Sequence, residues 1–266
     1  MNELIDKFHR TLSKWTWAVK IFVKIRNQMN CVIALYLGET ENSALNGEVQ
    51  LMGTLAPYVN VFVDAGANVG DWTADLLQRA PNAQGFCFEP SAQCAERLRS
   101  RFDGQNITLF QMALSDRKGK GSFFEEEGCG QTSSLSGQGN AEQGSLVQVP
   151  VSTLDAELQH LEMGVDLLKT DCEGWDGKVL MGGGELLKRV RFVQFEYNSS
   201  WLAAGSSLCE VITFLETHGF QVFLIRSSGL HPFRYSVWGD FFRYSNFFAC
   251  RKEDLPVISS IVGDPV

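Results

Sequence analysis

The stretch VFVDAGANVGDWT, residues 61–73, joins an apolar run to two glycines that lie four residues apart, Gly66 and Gly70. The apolar run predicts a buried strand, and the glycines behind it predict a sharp turn that opens a helix. In an α/β sheet, such a turn lies beyond the carboxyl end of a strand, where ligands bind. The stretch therefore predicts an α/β domain with a ligand site at its first turn.

The side chains of this turn favour S-adenosyl-L-methionine over a dinucleotide. A dinucleotide-binding turn reads Gly-x-Gly-x-x-Gly, and here Asn68 adds bulk where the pyrophosphate would lie. Asp64 stands two residues before Gly66 and suits a ligand that carries an ammonium group. An NAD-dependent oxidoreductase is therefore the weaker of the two enzyme hypotheses.

A second acid supports the same ligand. Glu89 follows Gly70 by nineteen residues and ends the next apolar run. A carboxylate at that strand end can accept hydrogen bonds from the two hydroxyls of a ribose. The alternative is structural, with Glu89 capping the helix that begins at Pro90 and Ser91.

Short apolar runs alternate with helical segments through the rest of the chain. Runs that are apolar on both faces, with helices between them, predict a parallel sheet covered by helices on both sides. The last two runs have no clear helix between them, so that pair is open to an antiparallel arrangement. The predicted strands are 60–66, 84–90, 107–114, 165–172, 191–198, 220–226 and 246–251, and the main predicted helices are 70–80, 91–102 and 207–218.

Composition limits the partners and the location. The net charge of −8 argues against nucleic acid, because phosphate binding needs a positive field. The seven cysteines include no Cys-x-x-Cys pair, which favours reduced thiols in a cytoplasmic protein. No stretch approaches the roughly 20 apolar residues that span a bilayer, and no signal peptide is recognisable.

The N-terminal segment differs from the rest of the chain. Residues 3–37 have the periodicity of a helix with a basic second face, and we assign residues 1–55 to a helical extension and 56–266 to a catalytic domain. The extension could dock on the core, cover a site as a lid, or contact a membrane surface weakly through residues 1–30. A homodimer stays open. Residues 128–145 are rich in Gly, Ser and Gln and predict a mobile loop over a site, or a surface insertion.

Charged residues at two later strand ends are candidates for chemistry. Lys169, Asp171 and Glu173 occupy alternate positions and so share one side of a strand, and Glu196 ends the next strand. Unpaired buried charges are unfavourable, which favours a site role as base or substrate ligand. The alternatives are a helix-dipole role for Glu173 and simple charge pairing for Lys169. The spacing allows a divalent metal between the carboxylates but requires none, and we predict none.

Four stretches together resemble the FkbM-type class I methyltransferases: FVDAGANVGDWT, GFCFEP, ALSD followed by GKGSFF, and STLDAEL with VDLLKTDCEGWDGKVLMGG. The similarity runs from about Val61 to Arg251. It implies a Rossmann-like α/β fold, with a seven-stranded, mostly parallel sheet whose last strand is antiparallel and with helices on both faces. Trp175 and Asp176 depart from the family pattern, which has a small residue followed by Glu.

The resemblance also implies roles for individual residues. The glycine turn would wrap the methionine part of S-adenosyl-L-methionine, Glu89 would hold the ribose, and Asp171 would lie beside the sulfonium. Residues 113–116 would border the adenine, and the loop with Ser133 and Ser134 would close over the cofactor. The full predicted cofactor set is Asp64, Ala65, Gly66, Ala67, Asn68, Gly70, Trp72, Thr73, Glu89, Pro90, Ala113, Leu114, Ser115, Asp116, Ser133 and Asp171.

The sequence hypothesis is thus an S-adenosyl-L-methionine-dependent methyltransferase. The resemblance implies a hydroxyl acceptor on a sugar, a glycolipid precursor or a secondary metabolite, so the expected partner is a small molecule or glycan. The residues alone do not choose oxygen over nitrogen or carbon. A non-catalytic binding protein that keeps the cofactor fold is the alternative from another class.

Overall fold

The computed structural model describes residues 2–37, 42–126, 128–130, 133, 135, 144–161 and 163–266. The chain divides into two compact units, Met1–Glu39 and Thr40–Val266. Most of the predicted loop over residues 128–145, including Ser134, lies outside the described residues.

The first unit consists of two helices, α1 (Asn2–Leu12) and α2 (Thr16–Leu37). The periodicity predicted one continuous helix, but the structure interrupts it between Leu12 and Thr16. The Ser13 hydroxyl donates to the Arg10 carbonyl at 3.0 Å, a local bond of the kind that competes with helix propagation. Neither of these helices, nor any other helix in the described ranges, combines the length and apolar character that crossing a membrane requires.

The second unit is built on a central sheet of eight strands. Six of its strands run in one direction, five of them pairing in parallel as neighbours, and two strands run in the opposite direction. Helices connect the parallel strands. The strands are β1 (Val61–Ala65), β2 (Gln84–Phe88), β3 (Ile107–Phe110), β7 (Val165–Thr170), β8 (Val190–Tyr197), β9 (Phe220–Arg226), β10 (Gly229–Pro232) and β11 (Ser245–Arg251). A second sheet holds β4 (Ala113–Leu114), β5 (Gly119–Glu126) and β6 (Gly144–Ser152) in the order β4-β6-β5.

The strand order of the large sheet is β10-β9-β11-β8-β7-β1-β2-β3. The last strand, β11, is inserted between β8 and β9 and is antiparallel to both. This confirms the predicted class I methyltransferase architecture. Three details were not predicted. Strand β10 adds an eighth strand by folding back on β9. The run 107–114 divides into β3 and β4, which belong to different sheets, and β5 and β6, which form the second sheet with β4, were not among the predicted strands.

Helices surround the sheet, and side chains cap several of them. Ser91, Thr153 and Ser207 each accept a hydrogen bond from a backbone N–H in the first turn of the helix that follows. The helices are α3 (Ser43–Asn46), α4 (Glu48–Leu55), α5 (Asp71–Arg79), α6 (Ala92–Arg101), α7 (Leu154–Leu158), α8 (Asp176–Met181), α9 (Gly184–Leu187), α10 (Trp201–Ala204), α11 (Leu208–Thr217), α12 (Tyr235–Trp238) and α13 (Leu255–Ile258).

Helix α4 belongs to the core of the second unit. Leu51 and Leu55 are fully buried and pack in one hydrophobic cluster with Phe62 of β1. The predicted N-terminal extension ends at residue 55, whereas the second compact unit starts at Thr40. The docking or lid role of the extension stays a prediction.

The sheet register brings the predicted site residues to one edge. Asp64 of β1 lies beside Lys169 of β7, which lies beside Gln194 of β8. Because parallel strands end at the same edge, the residues that follow them meet in one place. That edge holds the candidate site.

Candidate active site

The glycine turn after β1 is shaped by close packing against two neighbouring segments. Gly66 has φ 84°, and a Cβ there would lie 1.9 Å from the Asp171 carbonyl oxygen. Gly70 has φ 83°, and a Cβ there would lie 2.5 Å from the ring of Phe102. Side chains at these two positions would force the backbone apart. The turn is therefore held against the loop that carries Asp171.

Asn68 lies at the centre of this turn in a left-handed conformation, with φ 47°. Asn tolerates this region better than most residues, but such a backbone is still strained and is typical of functional sites. Its amide donates to the Gly130 carbonyl at 3.4 Å, which brings the segment 128–130 against the turn. Its Oδ1 atom is buried and has no hydrogen-bond partner among the described residues. A bound ligand with a donor would satisfy it.

Glu89 is fixed directly beneath the turn. Its Oε2 accepts from the Asn68 N–H at 2.8 Å, and its Oε1 accepts from the Ser91 N–H at 2.8 Å. Ser91 itself caps helix α6, so Glu89 is not the cap that the structural alternative assumed. Each carboxylate oxygen keeps a second lone pair for a ligand hydroxyl. The ribose role of Glu89 stays a prediction.

The pKa of Glu89 is raised to about 7, because burial penalises the charged carboxylate more than the two backbone donors favour it. Glu89 is only 5% exposed. A ligand that donates hydrogen bonds to the ionised form would offset part of this desolvation. The charged form of Glu89 is therefore unfavourable until a ligand donates further hydrogen bonds to it.

Asp64 lies deeper than its predicted contact with a ligand amine implies. Its side chain is fully buried, and Oδ2 accepts from the Thr73 hydroxyl at 2.6 Å. Its Oδ1 lies 3.5 Å from the Lys169 ammonium. Groups of the protein itself thus contact both carboxylate oxygens, and Thr73 holds Asp64 from helix α5.

Trp72 lines the same region from helix α5. Its ring meets Phe62 edge to face at 6.0 Å, and the Lys169 ammonium lies 5.5 Å from its ring centre. The indole N–H is buried and has no acceptor among the described residues. An unsatisfied buried donor is unfavourable, so this atom is a second group that a bound ligand would satisfy.

Lys169 is the cation that joins the buried carboxylates. Its ammonium lies 3.2 Å from Asp171 and 3.5 Å from Asp64. Burial lowers its pKa, but the negative charges of Asp171, Asp64 and Glu48 outweigh burial and raise the pKa above its ordinary value. Lys169 therefore stays charged at neutral pH and cannot serve as a general base, which favours the charge-pairing interpretation.

Asp171 and Glu196 form an acid pair at the ends of β7 and β8. Burial raises the pKa of Glu196 well above its usual range, and the charges of Asp171, Glu173 and Asp176 and a hydrogen bond with Asp171 raise it further. The Asn198 amide also donates to Glu196. Burial and the neighbouring carboxylates therefore favour the neutral form of Glu196, which can donate a hydrogen bond to Asp171.

Glu173 lies in a tight loop between β7 and α8. Its φ is 50°, and the loop is closed by Asp176, whose carboxylate accepts from the Cys172 N–H at 3.1 Å and the Gly174 N–H at 3.3 Å. Burial raises the pKa of Asp176 to about 7. Asp176, which stands where the family pattern has Glu, is thus buried and holds this loop closed through two hydrogen bonds. Glu173 lies on a backbone segment of unfavourable φ.

The segment predicted to border the adenine packs against this loop. Ser115 accepts from the Trp175 indole N–H at 3.0 Å, and Asp116 pairs with Lys178 at 3.3 Å. Trp175 therefore fills the space between residues 113–116 and helix α8. This explains how the chain accommodates a large residue where the family pattern has a small one.

Ser133 lies near the glycine turn, because its hydroxyl and the Asn68 amide both donate to the Gly130 carbonyl. Its hydroxyl oxygen accepts from the Glu126 N–H at 3.0 Å. Glu125, its neighbour in β5, accepts from the Ser91 hydroxyl at 2.6 Å, next to Glu89. Ser133 thus lies near the two turns in which Ala65, Ala67 and Pro90 stand, and the cofactor roles of these residues stay predictions.

Polar residues that the sequence analysis missed extend the site along the sheet edge. Glu48 accepts from the Gln194 amide at 2.6 Å and from the Asn46 amide at 2.7 Å, and burial raises the pKa of Glu48. On β11, Asn246 lies beside Glu196 and donates to the Tyr244 hydroxyl at 3.2 Å. Together they form a polar wall on the side away from the glycine turn.

The donor set at this edge consists of carboxylates around one ammonium. Within the described residues no group of three His, Cys, Asp or Glu side chains is arranged to hold a metal ion. The excess of carboxylates instead suits a cationic ligand such as a sulfonium. The turn, Glu89 and the unsatisfied atoms of Asn68 and Trp72 fit S-adenosyl-L-methionine.

Comparisons with known proteins agree with this geometry. Residues 64–222 match the family model described as the methyltransferase FkbM domain. The 2-O-methyltransferase NoeI of Sinorhizobium fredii (strain NBRC 101917 / NGR234) is 32% identical over 178 residues, which cover 61% of this chain and 73% of that protein.

Two solved structures show weaker likenesses. The methyltransferase FkbM of Methylobacillus flagellatus KT is 14% identical with a TM-score of 0.44, covering 71% of this chain but only 43% of that one. The precorrin-6y C5,15-methyltransferase of Geobacter metallireducens GS-15 is 12% identical with a TM-score of 0.43, covering 81% and 94%. The family match spans more than half of the chain, from the glycine turn to β9, and the chain therefore belongs to the FkbM methyltransferase domain family.

Proposed function

We propose that this protein transfers the methyl group of S-adenosyl-L-methionine to a hydroxyl of a sugar or of a glycolipid or secondary-metabolite precursor. The observation that carries the proposal is the double hydrogen bond that fixes Glu89 between Asn68 and Ser91 beneath the glycine turn. The name of the relative NoeI, a 2-O-methyltransferase, supports an oxygen acceptor.

When bound, S-adenosyl-L-methionine supplies an electrophilic methyl group on a sulfonium. In the proposed mode, the backbone of residues 66–70 surrounds the methionine part and Glu89 accepts from the ribose hydroxyls. Asp171 lies on the side of the turn where Gly66 packs against its carbonyl, and its negative charge favours a cation there. Lys169 keeps the carboxylates of Asp64 and Asp171 in place.

The acceptor hydroxyl would lie between the turn and the wall formed by Glu48, Gln194 and Asn246. Much of the rate of a direct displacement comes from aligning the nucleophile, which these polar groups can do through hydrogen bonds. Asp171 takes the hydroxyl proton on its carboxylate as the oxygen attacks. Glu196, which makes a hydrogen bond with Asp171, keeps the Asp171 carboxyl oriented.

Radiolabelled methyl transfer tests this proposal. Purified protein is incubated with methyl-labelled S-adenosyl-L-methionine and a panel of methyl glycosides, and transfer of label to a glycoside hydroxyl is expected. Asp171→Asn should reduce the rate by about 100-fold or more, because general-base assistance typically contributes that much. Glu216→Ala, an exposed change on α11, is the matched control.

Three results would contradict the proposal in different ways. Cofactor binding without transfer to any hydroxyl, amine or carbon acceptor would favour the non-catalytic binding protein. Transfer to an amine alone would keep the cofactor and overturn the hydroxyl acceptor. Full activity of Asp171→Asn would remove Asp171 from proton transfer.

A further inference from the structure

Helix α2 carries a band of exposed large apolar side chains. Val32 is 67% exposed, Leu35 75% and Met29 61%. A band of this extent is unusual on a protein surface and marks an interaction site. The exposed apolar residues of α2 are Trp17, Val19, Ile21, Phe22, Val23, Ile25, Met29, Val32, Leu35 and Tyr36.

Most of these residues share one face of the helix, whereas Val19 and Val23 lie on the opposite side. Ile21, Ile25, Met29, Val32 and Tyr36 recur at steps of three and four, which places them on one side at 3.6 residues per turn. Lys20 and Lys24, which share a four-residue spacing, fall about 100° or more from the centre of that face.

Helix α1 repeats the arrangement on a smaller scale. Ile5 and Phe8 are 47% and 59% exposed and lie on the same side of the helix as Leu12. Near the break between the two helices, the rings of Trp15 and Trp17 stack at 5.9 Å and are also exposed. Tryptophan is enriched where a protein surface meets lipid headgroups.

The positive charge of residues 2–37 indicates which partner this apolar surface would bind. Residues 2–37 carry Lys7, Arg10, Lys14, Lys20, Lys24 and Arg26 against Glu3 and Asp6, in a chain whose net charge is −8. This local excess of positive charge opposes the sign of the whole protein. Apolar residues flanked by lysines and tryptophans match an anionic lipid surface, where the side chains enter the acyl boundary and the lysines meet headgroups.

We infer that the unit formed by α1 and α2 docks flat on an anionic membrane surface. A second copy of this chain fits less well, because it would bring two positively charged units together. Among the described residues, no helix is long and apolar enough to cross a membrane. This inference concerns location and does not depend on the methyl-transfer proposal.

Vesicle sedimentation of the full-length protein tests the inference. Vesicles of phosphatidylcholine mixed with phosphatidylglycerol should bind the protein, and vesicles of phosphatidylcholine alone should bind it much less. Lys20→Gln combined with Lys24→Gln should weaken binding about 25-fold, because each basic residue near the surface contributes about fivefold. About 1 M NaCl, where the screening length is roughly 3 Å, should also weaken binding.

The apolar face is tested separately with Phe22→Ser combined with Met29→Ser, which should abolish most binding. The matched controls change residues of the same kind in the second unit: Lys118→Gln with Lys120→Gln, and Leu202→Ser with Val237→Ser, all at exposed positions. The controls should bind like the unchanged protein. Circular dichroism and thermal melting confirm that each variant is folded.

Three outcomes would overturn the inference. The first is absence of binding to anionic vesicles at low salt. The second is binding that the control variants weaken as much as the α2 variants do. The third is self-association in sedimentation equilibrium that Phe22→Ser with Met29→Ser abolishes, without vesicle binding, which would make a second copy the partner.

Discussion

The backbone N–H of Asn68 donates a hydrogen bond to the Glu89 carboxylate at 2.8 Å, which joins the glycine turn after β1 to the end of β2. This contact couples the conformation of the turn to the charge of Glu89. Because the pKa of Glu89 is raised to about 7, the acid changes charge close to neutral pH. Ligand binding at the turn should therefore depend on pH.

We expect the affinity for S-adenosylhomocysteine to rise with pH. Ribose hydroxyls donate to the ionised carboxylate, so a ligand of this kind favours deprotonated Glu89. With a pKa of about 7, the ionised fraction and hence the affinity should be about tenfold higher at pH 8 than at pH 6. Calorimetric titration at both pH values measures the ratio. Glu89→Gln should bind weakly and equally at both, and a persisting tenfold ratio in that variant would assign the titration to another group.

Asp176 should make the protein less stable as pH rises. Its pKa is about 7 in the fold, above the ordinary value of 3.8, so the folded chain holds a proton that the unfolded chain has lost. That contribution is fully present below the unfolded pKa and is lost through the folded pKa. Between pH 6 and pH 8, Asp176 should reduce the free energy of unfolding by about 1 kcal/mol.

Urea denaturation of the protein and of Asp176→Asn at both pH values checks this contribution. The variant should lose about 1 kcal/mol less over the interval, because its amide does not titrate. An identical pH dependence in both proteins would show that Asp176 is ionised in the fold across this range.

Removing the Lys169 ammonium should strongly destabilise the fold. Lys169→Met leaves Asp64 buried without its cation, which typically costs about 3–5 kcal/mol. The double variant Lys169→Met with Asp64→Asn removes both charges and should recover part of the loss. Urea denaturation of the four proteins measures the coupling. Additive losses would mean that the two side chains do not interact.

Glu48→Ala should reduce methyl transfer while leaving cofactor affinity unchanged. Glu48 holds Gln194 and Asn46 by hydrogen bonds at the acceptor side, away from the turn. Loss of such bonds to a charged group should raise the acceptor KM or lower the rate by roughly 10-fold to 100-fold. Steady-state transfer to a methyl glycoside and calorimetry with S-adenosylhomocysteine separate the two effects. Weakened binding of S-adenosylhomocysteine would place Glu48 on the cofactor side instead.

The sequence was sufficient for the sheet and for the glycine turn, because both rest on local patterns. Apolar runs such as 61–65 predict strands directly, and spaced glycines such as Gly66 and Gly70 predict a turn. The antiparallel last strand was also predictable, because the segment between residues 220–226 and 245–251 shows no long helical pattern, and in the structure it holds only strand β10 and the four-residue helix α12.

The polar wall was not predictable to the same degree. Glu48 reaches the site because α4 packs in the core with Phe62, and that tertiary contact leaves no periodic signal near residue 48. Gln194 could have been found, since it shares a strand face with Glu196 two residues later. The depth of Asp64 was also hidden, because it depends on Lys169, which lies 105 positions away.

Calorimetric titration with S-adenosylhomocysteine at pH 8 is the most direct test of the central claim, that the glycine turn and Glu89 hold this cofactor class. Protein freed of co-purified ligand should bind S-adenosylhomocysteine and not NADH, Glu89→Ala should lose binding, and the exposed control Glu216→Ala should keep it. Absence of binding to the unchanged protein, or equal binding by Glu89→Ala, would contradict the assignment of this site.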